Sequence, residues 1–595
     1  MTRLALSFCC CLAIAGCSDP VDMEPAPDAG TEVDPPPPPP PPTMGDASTP
    51  EEDGGVDAPD ASRPPDPRDV PLGPVGEVSF VDTTARYLDP TPADVDDGWG
   101  TNNAWEFEFT DFDGDGRLDL ALPDHVGTTR IWVQRPDGTF RFLDANATGL
   151  HRVSGHQRAT SNFFFIDVDA DGLPDMSGHD PDGGPSILLL AQHGVGDETP
   201  RYAPAPLRGC RYGRDNCVFG ALMNDNRMVT ISASRPVAPD NVQREIRDIL
   251  TDEVVLPADN VSGDAEGSAA ATYLIVDLDN DTCPDIVNLF ADGFWQKDRT
   301  SSGCADTFTW RAGRFDDPAN HSDPGCGGAC GPFWQTRHAA TADFDNDGFA
   351  DVYYRVGPRN DEDTLGFARM CLNDGTAHFV CHDVPTAGGP PHWINYANTH
   401  VGDIDNDGDI DIVSAGEARS DTITIYLNDG TGRFAIIENP VDFEGAHGKA
   451  RVSLADFNDD GLLDLAKTGR SREIDGLSYV GVGLFQNNTN NDFHYLKLKV
   501  RGEGNNTDGL HARIRVYEAG TRRLIAQRQV QNLPYANYAT EVHFGLGAHD
   551  RVDVEVIYPN DGPRYTLEGV AADQTILAYP TRHTLGYRAG DPFPL

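Results

Sequence analysis

Six acidic nonapeptides built on one spacing rule constrain this chain more than any other feature. They are DFDGDGRLD at 111–119, DVDADGLPD at 167–175, DLDNDTCPD at 277–285, DFDNDGFAD at 343–351, DIDNDGDID at 403–411 and DFNDDGLLD at 456–464. Oxygen-bearing side chains recur at positions 1, 3, 5 and 9. These are Asp111, Asp113, Asp115 and Asp119; Asp167, Asp169, Asp171 and Asp175; Asp277, Asp279, Asp281 and Asp285. The later loops supply Asp343, Asp345, Asp347 and Asp351; Asp403, Asp405, Asp407 and Asp411; Asp456, Asn458, Asp460 and Asp464. Four carboxylates this close repel one another unless a countercharge sits among them. The pattern therefore points to a divalent cation rather than a bare acidic turn.

Position 6 is Gly in five of the six loops, as a tight turn at positive φ requires. Calcium takes roughly six to eight hard oxygens in adaptable geometry, whereas magnesium demands a rigid octahedron and retains waters. Position 7 is unconstrained (Arg117, Leu173, Cys283, Phe349, Asp409 and Leu462), which fits a position contributing only its backbone carbonyl. The expectation is up to six Ca²⁺ ions, with the Asn458 loop the weakest because it has lost one charge.

Each loop lies between β-prone runs, such as FEFT and LALP around the first or YLIV and IVNL around the third. Their starts are 56, 110, 66, 60 and 53 residues apart, so the long interval holds room for a seventh unit near residue 221. There the sequence ALMNDNRMVT keeps only Asp225 in register, as a unit that retained its fold and lost its metal. Seven strand-rich units of about 55 residues predict an all-β chain folded as a seven-bladed β-propeller. SFVDTT at 79–84 is similar to RFLDAN at 141–146, the outer strand of the first unit, yet it precedes every loop. It is expected to supply the outer strand of the last blade, which otherwise stops near Phe485-Gln486-Asn487.

These repeats resemble the FG-GAP/VCBS family, the blades of integrin-α-type propellers, over roughly residues 76–490. That resemblance implies calcium in the loops. An EF-hand is excluded, since it needs Glu at position 12 and flanking helices. From about 491 the style changes to alternating strands, YLKLKV and ARIRV, followed by HFGLG, VDVEV and YPNDG. Residues 491–582 resemble the ASPIC/UnbV domain, implying a small β-sandwich-like module, with 583–595 left as a tail. The two together resemble a cartilage acidic protein type of architecture.

The N-terminus sets the expected compartment. Residues 1–17 combine a basic start, an apolar stretch too short to span a bilayer, and Ala15-Gly16-Cys17. This resembles a bacterial lipoprotein signal with Cys17 lipidated; an ordinary secretory signal is the alternative. Residues 18–75, rich in Pro and Asp, read as a disordered spacer. Membrane contact is thus expected through the N-terminal lipid alone, at the outer membrane or cell surface. A formal charge of −50, from 45 basic and 95 acidic residues, argues against nucleic acid. Four of twelve cysteines fall in the signal; the rest form near neighbours, Cys210/Cys217, Cys283/Cys304, Cys326/Cys330 and Cys371/Cys381. Local disulfides are expected, with zinc as the rival reading that lacks paired CxxC motifs.

No HExxH, G-x-S-x-G or P-loop is present. Five residues before each loop stand polar side chains: Glu106, Asn162, Thr272, His338, Asn398 and Arg451. Strand alternation sends them away from the mainly apolar residues at position −2, so they are expected to line a central channel and meet a ligand. The functional expectation is a non-enzymatic, calcium-binding surface protein that recognises a protein or carbohydrate. A hydrolase or lyase using the channel, and a structural envelope component, are the alternatives.

Overall fold

The computed structural model describes residues 76–91 and, between 108 and 588, all but a set of connecting stretches, of which 257–272 and 317–333 are the longest. Cys17, the 18–75 spacer, Glu106, Thr272, Cys210, Cys326 and Cys330 lie outside the described residues. The described residues belong to one compact unit, Pro64–Leu595. They are almost wholly β, with a single four-residue α-helix at Thr84–Tyr87.

Seven four-stranded antiparallel arrays follow one another along the chain. The first runs Glu108–Thr110, Asp119–Leu122, Arg130–Gln134 and Phe140–Leu143 in spatial as in sequence order. The others begin at Ser161–Ile166, Cys217–Gly220, Tyr273–Val276, Trp334–Ala342, Thr399–Gly402 and Val452–Ala455. The array beginning at Trp334 carries one extra strand, Phe315–Asp316, in parallel. In six arrays an acidic nonapeptide joins the first strand to the second. In the third, residues 221–228 make that turn, where the sequence placed its degenerate seventh unit.

The last array takes its outer strand from the other end of the chain. Phe80–Asp82 pairs antiparallel with Val482–Asn487, Phe80 opposite Asn487 and Asp82 opposite Phe485. Tyr87 and Leu88 then pack with Phe457 and Leu484 of the last array and Phe109 and Phe140 of the first. Apolar clusters continue from array to array. Phe112 and Leu143 meet Phe165 and Leu189; Ile231 and Ile246 meet Ile275 and Trp295. Val287, Tyr353 and Tyr426 share one core across three arrays, and Ile425 packs with Leu465 and Phe485. Sulfur atoms of Cys283 and Cys304 lie 2.01 Å apart, and those of Cys371 and Cys381, register partners on adjacent strands, 2.03 Å apart.

Two further four-stranded sheets form the C-terminal module. One is ordered Glu541–Gly547, His494–Val500, Gln574–Ala578, His583–Tyr587; the other Leu524–Gln529, Arg513–Glu518, Arg551–Ile557, Arg564–Ala571. Leu496, Leu498, Val500, Ile514, Val516, Phe544 and Val554 interdigitate between them as one core. His583–Tyr587 pairs with Gln574–Ala578. Residues 583–587, expected to begin a tail, are therefore a paired strand, because the alternation that marks an edge strand is too short there to read.

Candidate metal loops and the module that covers them

The six nonapeptides share one hydrogen-bond plan. At position 9, one carboxylate oxygen accepts the N–H of position 2 and the other accepts an N–H from the array's third strand. Thus Asp119 holds Phe112 and Gln134, Asp175 holds Val168 and Ala191, and Asp285 holds Leu278 and Lys297. Asp351 holds Phe344 and Asn373, Asp411 holds Ile404 and Asn428, and Asp464 holds Phe457 and Asn487. All six are buried. Position 9, read from sequence as a ligand, is first of all a staple between loop and sheet.

At position 1, Oδ2 accepts the N–H of position 6 in every loop, from Gly116 on Asp111 to Gly461 on Asp456. Position 7 gives its N–H to the position-5 carboxylate, as in Phe349 to Asp347 at 2.8 Å, which leaves its carbonyl free to serve as a ligand; Asp409 alone of the six adds a carboxylate, and that accepts from Asn346. Position 6 has φ between 89° and 104° in the five Gly loops, and Thr282 takes φ 77° in the sixth.

Sequence reading passed over position 4. It too is left-handed, with Gly114, Ala170, Asn280, Asn346, Asn406 and Asp459 at φ of 57–72°. Where it is Asn, its side chain reaches the next loop. Asn280 donates to the carbonyl of Gly348, Asn346 to Asp409 and Asn406 to the carbonyl of Gly461. The signal was present in the repeated Asp-Asn-Asp.

What these loops can hold follows from what is left over. Ligand oxygens lie within 4.8 Å of one another in Asp111/Asp113/Asp115, Asp167/Asp169/Asp175, Asp277/Asp279/Asp281, Asp343/Asp345/Asp347 and Asp403/Asp405/Asp411. Oδ1 of Asp343, Asp403 and Asp405 is buried with no hydrogen-bond partner among the described residues. A buried oxygen of this kind costs free energy unless a proton or cation meets it, so the residues present fit a metal ion. Burial and neighbouring aspartates push Asp343 up to about 8, and burial with Asp405 pushes Asp407 up to about 7. In the sixth loop Asn458 turns its amide to donate to Asp460, 2.8 Å away, which uses that position as a donor.

The side of the loops that a strand pattern would leave to water is covered. In His494–Val500 the leucines and valine face the module's core, while Lys497 and Lys499 face the loops and are buried. Lys497 donates to Asp456 at 2.7 Å and to Asp459, and Lys499 to the carbonyl of Gly116. Burial opposes charge on Lys497, but Asp456, Glu541 and Asp459 outweigh it and push its pKa up. Arg513 donates to Asp277 and Asn280, Arg515 to the carbonyl of Gly348, and Arg528 to that of Gly408. The Gly545 N–H donates to Asp403 at 3.0 Å, and Thr507 to Asp167. The degenerate turn is filled by Asn560, whose amide donates to the carbonyls of Ala221 and Met223 and to Asn226. Every loop position thus has its own residue from the C-terminal module. Lys497 and Lys499 of YLKLKV and Arg513 and Arg515 of ARIRV supply four of these contacts.

The expected channel row is corrected in part. Asn162 and His338 stand on the first strands of their arrays, Ser161–Ile166 and Trp334–Ala342. Asn398 and Arg451 are buried, not open to a ligand. Asn398 is a clasp between neighbouring arrays: its amide donates to the Val452 carbonyl at 2.6 Å and accepts the Val452 N–H at 2.9 Å. The hairpin Asn532–Leu533/Ala536–Asn537 lies against the first strands of the first, third and fourth arrays. Gln531 accepts from Thr341 at 2.7 Å. Beside it a cavity of about 100 Å³ remains, lined by Val401, Leu454, Arg528 and His543 among others.

Comparison with known proteins adds sequence families to this geometry. Among solved structures the chain is similar to one from the Photorhabdus luminescens Tc holotoxin pore, at 12% identity and TM-score 0.30, over 75% of this chain and 20% of that one. The present chain thus spans about one-fifth of that protein's length. No curated protein matches. Residues 111–177 and 403–466, which include four of the six loops, match the FG-GAP-like repeat, and residues 502–584 match the ASPIC and UnbV domain. The chain carries FG-GAP-like repeats followed by an ASPIC and UnbV domain.

Proposed function

We propose that this is an exported, calcium-binding recognition protein whose seven arrays close into a β-propeller. The observation that carries the reading is the loop set: five clusters of aspartate oxygens within 4.8 Å, three buried oxygens without partners, and one hydrogen-bond plan repeated in register. Closure is supported by apolar clusters that join the first array to the second, the third through to the seventh, and the last back to the first, while the second and third share a cluster with the C-terminal module. Calcium in up to six loops is taken to be structural, fastening first and second strands. Recognition of a protein or carbohydrate is assigned to the end of the arrays opposite the loops, because the C-terminal module occupies the loop end. Lipidation at Cys17 and bridging of the near-neighbour cysteines complete the reading. No chemical step is assigned.

Calorimetric titration of the metal-stripped protein tests it. Calcium is expected to bind at up to six sites and magnesium far more weakly. A site held at a hundredfold excess over Kd adds about 2.7 kcal/mol, so chelation is expected to lower the melting temperature by roughly ten degrees or more. An EGTA melt that overlies the calcium melt refutes structural calcium.

A further inference from the structure

We infer that cation binding in the acidic loops and docking of the C-terminal module are positively coupled, because both use the position-1 aspartates and each uses a different oxygen. The inference rests on the calcium reading above.

The division of the carboxylates is consistent where the module reaches them directly. On Asp403, Oδ2 accepts the N–H groups of Gly408 and Gly545, while Oδ1 has no partner. On Asp456, Oδ2 takes Lys497 together with the Gly461 N–H. On Asp277, Oδ2 takes Arg513 and the Thr282 N–H, and on Asp167 it takes Thr507 and the Gly172 N–H. Oδ1 on Asp167, Asp277 and Asp456 meets only the position-5 N–H of its own loop, at 3.0–3.1 Å. The module therefore leaves free the side that a cation would use.

Two consequences make this cooperative rather than competitive. A cation on Oδ1 fixes the carboxylate plane and so fixes Oδ2 where Gly545, Thr507 and the basic side chains need it. Docking in turn removes water from the loops, which strengthens the pull of the carboxylates on a cation; it equally strengthens repulsion from Lys497 and Arg513, so the gain is expected where the uncharged donors Gly545 and Thr507 dock. Each ligand of a shared group then raises the affinity of the other by the same factor.

Charge-neutral substitutions separate docking from simple electrostatics. A Cβ at Gly545 would lie 2.2 Å from Asp403 Oδ2 and 2.4 Å from the Asn406 backbone. Gly545→Ala therefore pushes the module off the fifth loop without changing any charge. Thr507→Val removes one hydrogen bond at the second loop from a half-buried site and is the milder companion should G545A fold poorly. In the full chain, hydrogen exchange across 541–547 and 557–563 is measured with calcium and with EGTA, beside calorimetric calcium titration of both variants.

Expected are exchange at least about tenfold faster in EGTA and calcium affinity about fivefold or more weaker in the variants, the low end of usual coupling strengths. Calcium that binds wild type while exchange ignores EGTA, and variants that bind calcium as tightly as wild type, overturn the coupling and leave the calcium reading standing. No calcium binding to wild type overturns both.

Discussion

Two aspartates of one loop do different work, and substitution separates them. Asp351 holds the N–H groups of Phe344 and Asn373 in a buried site, whereas Asp347 holds the Phe349 N–H within its own turn and ties no strand. Asp351→Asn leaves one buried N–H facing an amide donor and is expected to cost about 2 kcal/mol whether or not calcium is present. Asp347→Asn keeps its hydrogen bond and removes charge, so its cost should appear in calcium and vanish in EGTA. Paired melts in the two buffers check both. A second residue-scale expectation concerns acid. His511 is buried with both ring nitrogens unpartnered, and burial, helped by Lys297, pushes its pKa down to about 3. The unfolded chain titrates near an ordinary histidine, at about 6.5, so it binds more protons over that window. The stability is present in full above about 6.5 and is lost as pH falls towards 3. His511→Asn, which tolerates the φ of 66° found there, is expected to flatten the fall in denaturant midpoint between about pH 6.5 and 4.

At the scale of elements, the closing strand is the most exposed dependency. Val482–Asn487 has its outer edge paired only by Phe80–Asp82, and Tyr87 and Leu88 bury beside it. Removing residues 76–88 bares a strand edge, which invites association, and forfeits two buried side chains worth roughly 1.5–3 kcal/mol each. A lower melting temperature with aggregation in light scattering is expected; a monomer melting like the intact chain would show that closure adds nothing. This element was legible because SFVDTT and RFLDAN share a pattern that only an outer strand explains. The loops were legible for a related reason: Asp, Gly and Asn at fixed positions answer to charge and positive φ, which are local demands. The two channel positions, Asn398 and Arg451, were misread for the opposite reason. Alternation tells which face a side chain takes, but not whether a neighbouring array closes over that face.

At the scale of the whole molecule, the same limit hid the junction of the two modules. YLKLKV reads as a strand with one wet face, yet Lys497 and Lys499 are buried against acidic loops from the seventh and first units. Nothing in either segment names the other, because charge complementarity between distant segments has no period to detect. The apolar core crosses the same junction. Ile166, Val168, Leu188, Ala221, Met228 and Ile249 of the second and third units belong to one cluster with Leu496, Leu510, Ala512 and Phe544 of the C-terminal module. A module sharing both its core and its ion pairs with the arrays cannot unfold without baring the acidic face to itself. Scanning calorimetry in calcium is therefore expected to give one transition for the arrays and the C-terminal module together. A separate lower transition, with hydrogen exchange placing it in 494–578, would mean that the junction is merely a contact and that the module is stable on its own account.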